Sequence, residues 1–215
     1  MSTEIAIHWF RQDLRLSDNP SLVNAAVHSR VLPVYIFDDV HPGPYALGGA
    51  SCWWLHHSLV SLCQALNGNL SLYKGDPLDV LLSLAERYKV TAVYWNRCYE
   101  PWQMERDTRI KAKLKANGIA VRSYNGSLLW EPWAVLKDDG TNYKVFTPFY
   151  RKGCMRAMAP REPLDTPMQV QYLRDEAGAV SPDDFALKPI TRWGERLHAH
   201  WSIGERAACD RFQEF

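Results

Sequence analysis

Residues 5–10 (IAIHWF) form a compact apolar run with little polar alternation, the pattern of a strand buried on both faces of a parallel sheet. Ser17, Asp18 and Asn19 then supply capping side chains ahead of Pro20, a first-turn proline, and predict a helix over residues 20–28. Residues 30–37 (RVLPVYIF) read as a second buried strand, in which Pro33 marks an interruption or a missing ladder bond. Gly43, Pro44, Gly48 and Gly49 mark a loop before Ser51. From there Trp54, Leu55, Ser58, Leu59, Leu62 and Leu66 recur at steps of three and four, an amphipathic helix that Gly68 closes. Residues 70–73 are a third strand. Gly75, Asp76 and Pro77 repeat the capping pattern before a helical stripe of Leu78, Val80, Leu81, Leu84 and Ala85, and residues 91–95 (TAVYW) are a fourth strand. A loop over 96–101 leads to a charged helix through Lys115, stopped at Asn117 and Gly118, and residues 119–123 are the fifth strand.

Strands that alternate with helices at this spacing predict an α/β fold: a doubly wound, Rossmann-like, five-stranded parallel sheet. Right-handed crossovers and one reversal of the chain give the order 3-2-1-4-5. After Phe149 the pattern weakens, and Pro160, Pro163, Pro167, Pro182 and Pro189 predict an extended interdomain connector. A helical stripe returns over 201–215. The expected division is an α/β domain over 1–135, a helix and connector over 136–199, and a terminal helix over 200–215.

Size and composition change this picture little. The chain has 215 residues, 47% hydrophobic and 23% charged, enough to bury a core without a disulfide or metal. Its 25 basic and 24 acidic side chains leave a formal net charge of +1, so no global basic field marks it as an autonomous nucleic-acid binder. Cys52, Cys63, Cys98, Cys154 and Cys209 are odd in number and form no CxxC pair, which predicts reduced thiols and a cytoplasmic setting. No basic leader precedes the first strand, and no apolar run approaches the roughly 20 residues of a membrane helix.

A doubly wound sheet binds ligands beyond the carboxyl ends of its strands, so the loops over 11–18, 38–49 and 96–102 are the candidates. None contains GxGxxG or GxxxxGK[ST], and Gly48-Gly49 alone is a weak mark. His56 and His57 are adjacent on a helix and point to different faces, so no metal site is assigned. Arg11, Asp13, Arg15 and Asp18 are spaced to form an ion-pair lattice that pins a loop. Nine tryptophans and ten tyrosines occupy ordinary core and interface positions.

As a string, WFRQDLRLSDNP (9–20) resembles the opening of the DNA photolyase and cryptochrome family. SCWWLHHSL (51–59), KGDP (74–77), VYWN (93–96), YEP (99–101), LLWEPW (128–133) and YKVFTPFYR (143–151) continue the resemblance in order. WSIGERAACDRFQEF (201–215) is similar to the first helix of the family's FAD-binding domain, which implies a chain cut at the start of that domain. The resemblance implies light-driven reversal of pyrimidine dimers in DNA, or blue-light signalling, for the full-length family. This part would contribute at most an antenna domain that holds a light-harvesting chromophore, with no catalytic residues of its own.

By resemblance, that pocket is lined by Phe10, Arg11, Phe37, Asp38, Ser51, Cys52, Cys98 and Glu100, aromatics stacking on the pigment and charged groups fixing its edges. Trp102-Gln103 stands where folate-binding relatives carry an Asn-Glu pair, and Cys52 where an arginine often precedes WWL; the first change favours a deazaflavin or flavin over a folate. FAD and damaged DNA, partners of the full-length family, are not expected to bind this chain, which is expected to be inactive in repair. Self-association through an apolar face at 201–215 is expected instead. The alternatives are a stand-alone nucleotide- or flavin-binding module of the same architecture and an interaction domain without photochemistry, in which these side chains serve as loop caps and interface filler.

Overall fold

The computed structural model describes residues 4–177, 179–189 and 191–215. Five strands, β1 (Ile5–Phe10), β2 (Arg30–Phe37), β3 (Ser71–Lys74), β4 (Ala92–Asn96) and β5 (Ala120–Tyr124), form one sheet. It is parallel throughout and ordered β3-β2-β1-β4-β5, as the pattern predicts. Four helices cover it: α1 (Pro20–Ala25), α2 (Gly49–Ala65), α3 (Pro77–Tyr88) and α4 (Pro101–Ala116). Asn19 caps α1 by accepting from the Leu22 N–H, and Asp76 caps α3 by accepting from that of Leu78. Helix α1 stops three residues short of the expected His28, and α2 starts two residues before Ser51. Pro33 interrupts nothing. Residues two apart on a strand present their backbone groups to the same edge, and Val31 already bonds Gln171 and Leu173 there. The Pro33 nitrogen faces that edge before the β2–β3 ladder begins at Val34, so no ladder bond is lost.

Alternation along the central strands sends side chains into two apolar layers. Ile7, Trp9, Leu32, Val34, Val93 and Trp95 pack toward α3 and α4 with Leu81, Leu84, Ile110 and Leu114. On the opposite face, Phe10, Leu22 and Tyr35 pack with Leu55, Leu59, Leu62 and Leu66 of α2. Each fully buried aliphatic side chain contributes about 1.5–3 kcal/mol, so these layers hold the sheet. Trp9 and Trp95 meet edge to face across the first layer at 5.5 Å.

Past β5 the chain makes α5 (Phe146–Pro148), which runs into a π turn and a 3-10 turn, then α6 (Trp193–His198) and α7 (Glu205–Gln213). The proline-rich stretch, expected as an extended connector, is docked on the domain. Val31 pairs with Tyr172 and Leu72 with Val180, while Phe185 stacks on Phe37 at 5.7 Å. Asp175 is fully buried and binds the Tyr88 hydroxyl and the Arg87 guanidinium at 2.7 Å each, with the Tyr73 hydroxyl also donating to it. Side-chain periodicity carries no trace of such docking, since single anchors replace a repeating stripe. Among the described residues, no helix is long and apolar enough to cross a membrane. Trp201, Phe212 and Phe215 are exposed.

Burial alone would raise the Asp175 pKa, but the bonds from Tyr73, Tyr88 and the Ala177 N–H and the charge of Arg87 outweigh it and hold the carboxyl below its ordinary value. A depressed folded pKa gives stability that is complete above the unfolded value of about 3.9 and is lost as pH falls through the folded one. Asp175→Asn is therefore expected to lower the unfolding free energy at pH 7 by about 3 kcal/mol, and to flatten the loss of stability below about pH 4. Urea melts of both proteins at the two pH values measure this; equal stability at pH 7 would mean the connector is not held through Asp175.

Candidate functional site

The first strand ends at the crossover point of the sheet, and the loop over 11–18 that leaves it is fixed by a buried polar knot. Asp13 accepts from the Arg11 N–H at 2.9 Å, from Asn96 Nδ2 at 2.6 Å and from Asn19 Nδ2 at 3.3 Å. Asn96 Nδ2 also donates to Asn19 Oδ1 at 2.7 Å, and the Ser21 hydroxyl donates to the same oxygen at 3.0 Å. His8 Nε2 lies 2.7 Å from Ser21 Oγ, and burial drives the His8 pKa down to about 3, so the ring is neutral. Gly126 closes the knot from outside: a Cβ there would stand 2.5 Å from Asn96 Cγ. The far end of the loop is gripped by Glu205 of α7, which accepts from the N–H groups of Leu16 at 2.7 Å and Ser17 at 2.8 Å.

Beyond the knot lies a cavity of about 380 Å³ lined by Trp9, Tyr35, Phe37, Tyr45 and Trp102, with Arg11, Gln12, Asp38, Asp39, Gln103 and Arg106 as its polar groups. One wall is an ion lattice in which no side chain is more than 8% exposed. Arg106 binds Asp38 at 2.8 Å and Asp107 at 3.0 Å, and Arg11 binds Asp107. Two arginines against two aspartates sum to zero charge, which is how such groups tolerate burial. The Arg106 guanidinium also lies 5.2 Å from the Trp9 ring and 5.1 Å from that of Trp102, while Arg11 lies 4.9 Å from Trp9. Burial would push the Asp38 pKa up, yet the bonds from Arg106 and His41 prevail and hold it below the ordinary value. Burial raises the Cys98 thiol, which therefore stays protonated beside Arg11.

Of the eight residues expected at the pocket, Arg11, Phe37 and Asp38 line this cavity. Arg11 and Ser51 line a neighbouring groove between the 11–18 loop, α2 and α7. Phe10 does not line the cavity: it is fully buried in the layer against α2, while Trp9 and Tyr35 reach the lining from the two faces of the sheet. Cys52 packs at the edge of the α2 layer, and Cys98 is buried behind Arg11. Glu100 acts one step back, accepting from Gln12 Nε2 and Gln103 Nε2 at 3.0 Å each. Arg106 and Asp107 escape a sequence reading; an oppositely charged pair five and six residues after Pro101 in a helix reads as a solvated face, although Ile110 and Leu114 continue its buried side. Tyr45 and Leu47 were missed because they belong to a loop with no periodicity.

A doubly wound sheet with an aromatic cavity beyond its strand ends defines an α/β domain of the Rossmann-like class. A sequence model described as DNA photolyase matches residues 6–168, and the chain belongs to that family. The deoxyribodipyrimidine photo-lyase of Agrobacterium fabrum is 37% identical over 220 residues, covering 100% of this chain and 45% of that protein. Cryptochrome-2 of Arabidopsis thaliana is 35% identical over 178 residues, 81% of this chain and 29% of that protein. Among solved structures, a bacterial class III photolyase from Agrobacterium tumefaciens superposes with a TM-score of 0.91 at 36% identity, covering 100% of this chain and 45% of that one. An archaeal photolyase from Sulfolobus tokodaii, solved with two FAD molecules and described as implying a novel light-harvesting cofactor, superposes at 0.66 with 26% identity over 93% of this chain and 46% of that one. The chain thus spans less than half the length of these relatives.

Asp13→Asn tests the knot. It keeps the shape but turns an amide toward donors that need an acceptor, and it is expected to cost about 2–3 kcal/mol. Thermal and urea unfolding measure the loss; a change under about 0.5 kcal/mol, the scale of an ordinary surface substitution, would mean the knot does not hold the loop.

Proposed function

We propose that this domain is an antenna: the cavity between β1, β2, the 39–48 loop and α4 holds a planar pigment of the deazaflavin or flavin class. The observation that carries the reading is the cavity itself, an aromatic slot of about 380 Å³, inside the roughly 300–1,000 Å³ of small-molecule sites. Its few polar groups are held by neighbours rather than free to collapse: Arg106 is fixed by Asp38 and Asp107, and Gln103 by Glu100. Trp102 and Phe37 would sandwich a flat ring, Gln12 and Gln103 would hydrogen-bond its carbonyl edge, and the closed wall would exclude water. When bound, the pigment supplies absorption in the near-ultraviolet and blue. The absence of an Asn-Glu pair at Trp102-Gln103 supports a flavin-like ring over a folate. Five free thiols suit a reducing, cytoplasmic setting.

The test is absorption of the freshly purified protein, followed by titration with riboflavin. A pigment band or saturable riboflavin binding is expected, with Trp102→Ala weakening the affinity about tenfold through loss of ring stacking. A colourless protein that does not bind riboflavin, or one whose affinity is indifferent to Trp102, would sink the proposal.

In the full-length family setting, the antenna would pass excitation to a flavin that reverses pyrimidine dimers in DNA or signals blue light. For this chain alone no repair is expected. A flipped dimer needs a pocket and a basic track along the backbone, whereas the net charge is +1. Purified chain given FAD, reductant and blue light is expected to leave a dimer-containing oligonucleotide intact and to bind it no more tightly than undamaged duplex. Light-dependent turnover would refute this.

A further inference from the structure

The outer wall of the cavity is the loop that joins β2 to α2, and it contributes Asp39, Val40, Pro42, Gly43, Tyr45, Ala46 and Leu47 to the lining. No residue from 39 to 50 is buried, so this wall has no apolar anchor in the core. Pro42 and Pro44 stiffen its middle, where Gly43–Tyr45 makes a single 3-10 turn. Its far end is the Gly48-Gly49 pair at the start of α2, where the missing side chains leave the backbone its widest choice of dihedral angles. A stiff segment between a glycine pivot and a strand end has the build of a flap.

What ties the flap down is polar and local. His41 Nδ1 lies 3.0 Å from both carboxylate oxygens of Asp38 and donates to them, and the His41 N–H reaches Oδ1 of Asp38 at 3.0 Å. On the ring's other side, Arg109 Nη2 donates to His41 Nε2 at 2.6 Å, and Asp76 at the start of α3 stands 3.5 Å from the same nitrogen. Arg109 also reaches Asp76 at 3.4 Å. The imidazole therefore ties the end of β2 to the exposed side of α4, and Arg109 carries the link on to Asp76 at the N-cap of α3. The remaining ties among the described residues are the Val40 N–H to Asp38 Oδ1 at 3.0 Å, the Cys52 N–H to the Gly48 carbonyl at 2.9 Å, the Cys52 thiol at 3.5 Å from the Leu47 carbonyl, and the half-exposed pair of Asp39 and Lys74 at 3.4 Å, which contributes little in solvent. His41 holds the flap through Asp38, the residue whose other oxygen fixes Arg106 in the cavity wall.

We propose that residues 39–48 form a flap that admits and releases the occupant of the cavity, with His41 as its latch. That the flap admits and releases an occupant rests on the pigment reading; the flap itself and its His41 latch do not. His41 is a positioning residue: it touches no ligand and sets how often the cavity opens.

The flap is tested on the ligand-free protein by amide hydrogen exchange of residues 39–47, comparing the unaltered chain with His41→Phe, which keeps the ring volume and removes both side-chain bonds, and with His41→Gln, which restores part of them. Loss of two hydrogen bonds predicts exchange about tenfold faster in His41→Phe, an intermediate rate in His41→Gln, and unchanged protection of β1 and α3, which shows that the variants fold. Equal exchange in this segment in all three proteins would overturn the latch. Gating is read by stopped-flow with riboflavin: entry and release are both expected to quicken about tenfold in His41→Phe while the affinity moves much less. Faster exchange with unaltered ligand rates would overturn the gate. If the unaltered protein binds no riboflavin, the pigment reading fails while the exchange result still decides the flap.

Discussion

The buried carboxyl group of Asp13 is the interaction on which the arrangement of this domain depends. Burial pushes its pKa up, so its oxygens must find donors, and these come from the turn at Arg11, the cap residue Asn19 and, across 83 residues, the strand end Asn96. Each donor has a second duty. Asn19 also caps α1, Asn96 ends β4, and the Arg11 backbone leads into the side chain that binds Asp107. One acceptor thus sets the direction of α1, the seam between β1 and β4, and the inner wall of the cavity. Apolar packing alone would leave the 11–18 loop undefined, since packing forces have no direction.

The cavity wall uses the same economy on a larger scale. Arginines and aspartates alternate so that no charge is left over, and the flat guanidiniums of Arg11 and Arg106 lie against tryptophan faces that also belong to the hydrophobic layer. The wall is therefore polar in composition and stiff in mechanics. A cavity that must keep its shape in the absence of an occupant needs this kind of lining, because free polar side chains would fold inward and fill it.

The sheet and its order were legible in the sequence because buried strands, proline-led helices and right-handed crossovers each leave a local trace. Runs such as IAIHWF and TAVYW could hardly be anything else. The candidate site was legible only as a place. The loops beyond β1 and β2 border the cavity, and Arg11, Phe37 and Asp38 line it, whereas Phe10 is spent in the layer against α2 and Trp9 reaches the lining instead. Arg106 and Asp107 were hidden because buried charge looks like surface charge until its partners, here Arg11 and Asp38, are brought from other segments. The docked connector was hidden for a similar reason: Asp175 and Phe185 act singly, and a single anchor has no period.

That docking has a further consequence. In a sheet of order 3-2-1-4-5, β3 is an outermost strand, and an outermost strand offers unpaired backbone groups to any extended chain that meets it. The Val180 N–H is already bonded to the Leu72 carbonyl at 2.9 Å, and Tyr172 lies alongside Val31 where β3 has not yet begun. The connector thus acts as a guard rail on the open side of the sheet, occupying positions where a neighbouring molecule could otherwise add a strand. Cleavage or melting between Tyr172 and Val180 would do more than loosen the chain downstream of the cut: it would lay bare the β3 border of the sheet as a sticky edge.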